Sequence, residues 1–148
     1  MATPQDAELI LKLYELRQEK TLREARKFVI AEFFPKNADD VKAIFLDREH
    51  PEYNAYYRQA TSYWDMAAAL VNQGTIDREL FFATNGEFLA IWAKFDDFIG
   101  ELREFAGPNT MANLEKLVAA HPDREKRISA MKERYKMLAA IHAGNEKR

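Results

Sequence analysis

Pro51-Glu52-Tyr53-Asn54-Ala55-Tyr56-Tyr57-Arg58-Gln59-Ala60-Thr61-Ser62-Tyr63-Trp64-Asp65-Met66-Ala67-Ala68-Ala69-Leu70-Val71-Asn72-Gln73-Gly74 is the stretch that decides the fold class. Tyr53, Tyr56, Tyr57, Ala60, Tyr63, Trp64, Ala67 and Val71 recur at steps of three and four, which lines one side of an α-helix. Asn54, Arg58, Asp65 and Asn72 fall on the opposite side. Pro51 suits the first helical turn, and Asn72-Gln73-Gly74 is a stop signal. Gly74 provides the left-handed cap that other residues adopt only at a cost.

The same period runs outward in both directions, and no segment alternates with period two, so no strand is expected. Thr3-Pro4-Gln5-Asp6 opens a helix predicted to reach Phe34, where Pro35 stops it. Its apolar stripe changes side. Leu9, Leu13 and Leu16 share one face, Leu22, Ala25, Val29 and Phe33 nearly the opposite one, and Arg17-Gln18-Glu19-Lys20-Thr21 lies between. Its first half is therefore expected to dock outside the main core. A short helix over 38–46 follows, with Asp39-Asp40 at its start. Beyond Gly74, Phe81, Phe88, Trp92, Phe95, Ile99 and Leu102 keep one register across Asn85-Gly86. Phase thus predicts one long helix with a weak point, ending before Gly107-Pro108. A short helix carrying Met111, Leu114, Leu117 and Val118 comes next. Asp123 then caps a last helix burying Ile128, Met131, Tyr135 and Leu138.

Composition fits this reading. The 148 residues are 47% hydrophobic and 12% aromatic, enough for the core of one domain. Residues 1–148 read as a single all-α domain, a helical bundle of five to seven helices with an aromatic-rich core. The Tyr/Trp helix and the Phe/Trp helix are expected to lie antiparallel at its centre. Charged residues make up 31%, both signs are interspersed, and the net charge is −2, so no nucleic-acid footprint is visible. The chain has no cysteine, no apolar signal core and no run of about 18 apolar residues. A cytoplasmic protein without a membrane role is expected.

The order Tyr63-Trp64-Asp65-Met66, Leu70-Val71-Asn72-Gln73-Gly74, Ile76-Asp77-x-Glu79-Leu80-Phe81, an aromatic helix with Trp92, Leu102-Arg103 and Asn113-Leu114-Glu115-Lys116-Leu117 carries a resemblance. It is similar to a family of bacterial all-helical domains classified only as a domain of unknown function, over about residues 53–118. The resemblance implies a helical fold and no particular chemistry. Some members carry an N-terminal membrane helix, and this sequence shows no such segment.

Chemistry-bearing motifs are sparse. The three histidines, His50, His121 and His142, form neither HExxH nor a Glu-x-x-His pair, so no metal site is expected. Asp96 and Asp97 are adjacent and point about 100° apart on a helix, which does not make a converging acid–base pair. No GxSxG, P-loop or GxGxxG occurs. No catalytic residue or cofactor is therefore assigned, and an enzyme ranks last. Lys20, Arg23, Arg26 and Lys27, interleaved with Glu19 and Glu24, read as a solvated face. Thr84 and Glu87 would enter the stripe of a continuous helix, where a satisfied core bond or a helix break is the favoured explanation. Two candidate sites remain. One is an interaction face on Leu9, Leu13 and Leu16, serving a homo-oligomer or another protein. The other is a small apolar-ligand pocket between the aromatic helices, lined by Tyr56, Tyr63, Trp92 and Phe95. Tyr and Trp bury area while keeping a polar handle, which suits either use.

Overall fold

The computed structural model describes residues 1–147, which are all-helical with no strand among them. The helices are α1 (Pro4–Arg17), α2 (Lys20–Lys27), α3 (Ala38–Leu46), α4 (Glu52–Asn72), α5 (Arg78–Thr84), α6 (Glu87–Phe95), α7 (Ile99–Ala106), α8 (Ala112–Ala119) and α9 (Arg124–Glu146). A π-helical turn, Phe28–Glu32, continues α2, and a 3-10 turn, Asp96–Phe98, joins α6 to α7. No helix among the described residues is long and apolar enough to cross a membrane.

These are more helices than the five to seven expected, because both of the longest predicted helices are divided. The helix predicted to reach Phe34 breaks after Arg17, where Glu19 leaves helical geometry and its carboxylate caps α2 by accepting the Leu22 N–H at 2.9 Å. The helix predicted to run through Gly86 breaks there too. Asn85 is extended, and its amide donates to the Phe81 carbonyl at 3.3 Å and to Thr84 Oγ at 3.0 Å. Shared phase on the two sides of Gly86 thus reflects two helices facing one core. The Arg127 guanidinium stands 2.8 Å from where a Cβ on Gly86 would be, so the bare backbone leaves room for α9.

The Gly74 cap forms as its sequence predicts. Gly74 has φ +80°, and the Thr75 and Ile76 N–H groups both return to the Leu70 carbonyl. At the chain start, Thr3 and Asp6 make a reciprocal capping box. The second Asp6 oxygen accepts the Asp77 N–H at 2.8 Å, tying the start of α1 to the start of α5. These hydrogen bonds from Thr3 and Asp77 hold the Asp6 carboxyl below its usual range.

The main core gathers Trp64, Phe81, Phe88, Phe95, Leu102, Leu114 and Leu117, all nearly or fully buried, around α4. Its aromatic pairs include edge-on contacts, as between Tyr57 and Phe95 at 5.5 Å and Tyr63 and Trp64 at 5.0 Å, and stacked ones, as between Phe82 and Phe88 at 5.8 Å. The polar side of α4 is open at Arg58 and meets α8 at Asp65 and Asn72. Asp65 accepts from the Leu114 N–H at 2.9 Å and from the Asn113 amide at 3.0 Å, and Asn72 donates to the Asn113 carbonyl at 2.9 Å. A smaller second core, Ala90, Ala93 and Tyr135, forms where α9 lies on α6, with Ile128, Met131 and Leu138 packed on it.

Candidate functional site

The first half of the N-terminal segment docks on the main core. Its inward stripe is Asp6, Ile10, Leu13 and Arg17, with Ile10 and Leu13 buried. The expected face of Leu9, Leu13 and Leu16 is therefore divided: Leu13 is 5% exposed, whereas Leu9 and Leu16 remain open at 36% and 43%. The sequence stripe misled because the ends of the true stripe are charged residues with internal partners. Two further apolar side chains stand in solvent, Leu11 at 65% and Tyr14 at 52%. At about 100° per residue, Leu9 and Leu16 occupy one flank of α1 and Leu11 and Tyr14 the other. Exposed Glu8, Lys12 and Glu15 form the ridge between them, with Lys12 and Glu15 3.8 Å apart.

Behind α1, Arg26, which sequence reading placed on a solvated face, turns inward to Glu87. Arg26 makes a two-point contact with Glu87, at 2.7 and 2.9 Å, and also donates to the Arg17 carbonyl at 3.0 Å. The Trp64 indole N–H donates to the same Glu87 carboxylate at 2.8 Å. Arg17 reaches Asn85 at 3.2 Å and lies over the Tyr14 and Trp64 rings, while the Tyr63 hydroxyl donates to the Leu13 carbonyl. Glu87 raises the pKa of Arg26 further through these hydrogen bonds. Every polar end in this knot meets a partner, so it reads as the anchor that holds α1 and α2 against the helix break at Gly86.

Tyr56, Tyr63, Trp92 and Phe95 do not gather around a cavity. Tyr63, Trp92 and Phe95 are buried, and Tyr56 is half-buried and donates to Glu24 at 3.3 Å. None of them lines the best-formed clefts of the described residues. The aromatic helices meet in a packed core.

One cleft has a chemical character that sequence reading missed. It measures about 550 Å³ and lies between the segment after the π turn, α6 and α9. Lys94, only 6% exposed, lines it. Its ammonium donates to the carbonyls of Phe33 at 2.8 Å and Ile30 at 3.2 Å, at the end of the π turn. It also lies 3.8 Å from the Tyr135 ring centre and 4.1 Å from that of Phe34. Burial pushes its pKa down to about 7. The signal was available: Lys94 is the lone charge in Phe88-Leu89-Ala90-Ile91-Trp92-Ala93-Lys94-Phe95.

The histidines lie apart in structural roles. His50 stacks on Tyr53, and His142 packs against Phe34 and pairs with Glu146 at 3.1 Å. His121 is buried against Phe82, and its Nδ1 accepts the Asp123 N–H at 3.1 Å at the start of α9. Desolvation, with Arg127 nearby, holds its pKa below the usual value. Among the described residues no group of three or more His, Asp or Glu forms a metal-ligand cluster.

Fold and surface together define an all-helical domain with an apolar-flanked helix turned to solvent and a lysine-bearing cleft on another side. The chain belongs to the family described as a domain of unknown function (DUF4760), whose sequence model matches residues 2–121. That match extends the resemblance from about residues 53–118 to include α1 and α2, and it leaves α9 outside. No curated protein and no solved structure matches the chain.

Proposed function

We propose that the chain is a cytoplasmic, single-domain helical bundle that works as a protein–protein interaction module, pairing with a second copy of itself through α1. The observation that carries this reading is the exposure of Leu9, Leu11, Tyr14 and Leu16 within one short helix. Apolar side chains left open on both flanks of one helix give its charged ridge two apolar borders, which a partner helix can cover. The charge order Glu8, Lys12, Glu15 supports a like partner. Laid antiparallel about a two-fold axis and shifted by about one turn, so that each Lys12 faces the partner's Glu8, two copies form two opposite-charge contacts with the leucine flanks on either side. The fixed inner face supports it too, because α1 is held by Asp6, Leu13 and the Arg17–Asn85 contact and needs no reordering to dock.

Sedimentation equilibrium on the full chain tests the proposal. A reversible dimer is expected below about 0.1 mM. Leu11→Glu with Leu16→Glu should weaken it by at least about tenfold while leaving the helical circular dichroism intact. Lys12→Glu should also weaken it, by setting three acids against three. A chain that stays monomeric through that range, or a dimer indifferent to all three changes, defeats the reading.

A further inference from the structure

The charges around the Lys94 cleft are unequally matched. Lys132 is held by Asp96 and Asp97, at 2.8 Å each, and Lys136 by Glu133 at 3.0 Å. Lys36 is exposed, and its amine can remain in water. Lys94 alone is buried, and among the described residues no carboxylate lies within ion-pair distance of it. Two of its three ammonium N–H groups go to the Ile30 and Phe33 carbonyls. No third oxygen lies within hydrogen-bond distance of Nζ, whose other near neighbours are the Phe34 and Tyr135 rings.

A buried amine with donor capacity to spare, on the wall of a cleft lined by aromatic rings, suits a ligand that joins an anionic acceptor to a flat apolar body. We propose that this cleft binds a small aromatic monocarboxylate, its carboxylate on Lys94 Nζ and its ring against Phe34, Phe98 and Tyr135. One negative charge is specified, because Asp97 and Glu133 already occupy Lys132 and Lys136 and leave Lys94 as the buried lysine without a counter-charge. The apolar share of the wall specifies a flat hydrophobic body, and about 550 Å³ accommodates one or two fused rings. The site is separate from the α1 surface and does not depend on how the chain assembles.

The proposal has a proton signature. The groups facing Lys94 are Lys36 from the segment after the π turn, Asp97 from the 3-10 turn, and Lys132, Glu133, Tyr135 and Lys136 from α9. Depressed by burial, the Lys94 amine is largely neutral at pH 8. A bound carboxylate favours its protonated form, so binding draws one proton from solvent.

Isothermal titration of the full chain with 1-naphthoate and with neutral 1-naphthalenemethanol, at pH 8 in two buffers of different ionisation enthalpy, tests this. Naphthoate should bind at least about tenfold more tightly than the alcohol, with uptake of close to one proton. Lys94→Met should remove the preference, and Lys36→Met should leave it within about threefold. Because Lys94→Met can unsettle α9, the unaltered protein is also titrated with ¹³Cε-labelled lysine, where naphthoate should raise the Lys94 pKa by at least about two units. Equal affinity for acid and alcohol, or a Lys94 resonance that titrates identically with and without naphthoate, overturns the proposal.

Discussion

Asp65 on α4 accepts the backbone N–H of Leu114 on α8 at 2.9 Å, across 49 positions of sequence. The N-terminus of α8 has no cap of its own. The residue before it, Met111, is left-handed at φ 53° and offers no side-chain acceptor. A carboxylate from a neighbouring helix supplies what the local sequence omits, at the positive end of the α8 dipole. Asp65→Ala should therefore lower stability by about 1 kcal/mol, the usual worth of an N-cap. The urea midpoint should fall with little change in slope. Asp65→Asn, which keeps an acceptor, should recover part of the loss; equal loss in both variants would show that the acceptor itself is not what matters.

Glu87 is the one carboxylate shared by Arg26 and the Trp64 indole, and both its partners and itself are largely shielded from water. Glu87→Gln keeps the shape but leaves the Arg26 guanidinium without its counter-charge. A loss of about 2–4 kcal/mol is expected, since breaking a shielded charge pair exposes the desolvation cost of the survivor. Arg26→Met with Glu87→Met should cost less than the sum of the single changes, and a double-mutant cycle measures the difference.

Part of this was readable beforehand and part was not, for physical reasons. The α4 stripe, the Gly74 cap and the Ile128–Met131–Tyr135–Leu138 face follow local rules that one segment of chain expresses alone. The inward face of α1 does not. Asp6 and Arg17 look like surface residues until the partners that satisfy them, the Asp77 N–H and the Asn85 side chain, are brought in from distant sequence. Arg26 fails for the same reason, its partner lying 61 positions away. At Gly86 two local rules disagreed, phase against propensity. Propensity prevailed because Asn85 can satisfy the end of α5 with its own amide. Of the four apolar residues left open on α1, Leu9 and Leu16 lie on the stripe that periodicity singles out. Leu11 and Tyr14 do not, since they lie on the flank that periodicity assigns to neither face.

Tyr57 tests the opposite kind of change, a removal that should help. Its ring packs edge-on to Phe45 and Phe95, both 5.5 Å away, but its buried hydroxyl oxygen has no hydrogen-bond partner among the described residues. A buried polar atom without a partner costs free energy that its apolar counterpart does not. Tyr57→Phe keeps every ring contact and should raise stability by about 1 kcal/mol, read as a higher urea midpoint. A drop of that size would mean that the hydroxyl is satisfied in solution.

Lys94 and the buried tyrosines together shape the alkaline behaviour of the fold. For Lys94, burial lowers the folded-state pKa from 10.5 to about 7. Between those values the unfolded chain holds a proton that the folded chain has released, so stability rises with pH across that window. The slope from this one group is at most about 1.4 kcal/mol per pH unit, reduced by whatever water reaches the cleft. Tyr57 acts in the other direction. Burial raises its pKa from 10.0 to about 12, so its contribution is complete below pH 10 and is lost as pH climbs through 12. Tyr135, whose hydroxyl donates to the Ala90 carbonyl at 2.6 Å, is raised as well and adds to the same limb. Urea unfolding measured from pH 6 to 11 should therefore show stability climbing above neutrality, turning over near pH 10, and falling beyond it. In Lys94→Met the climb between pH 7 and 10 should flatten while the fall above pH 10 remains. If the climb persists in that variant, the ammonium of Lys94 is not desolvated in the folded protein and some other group gives up the proton.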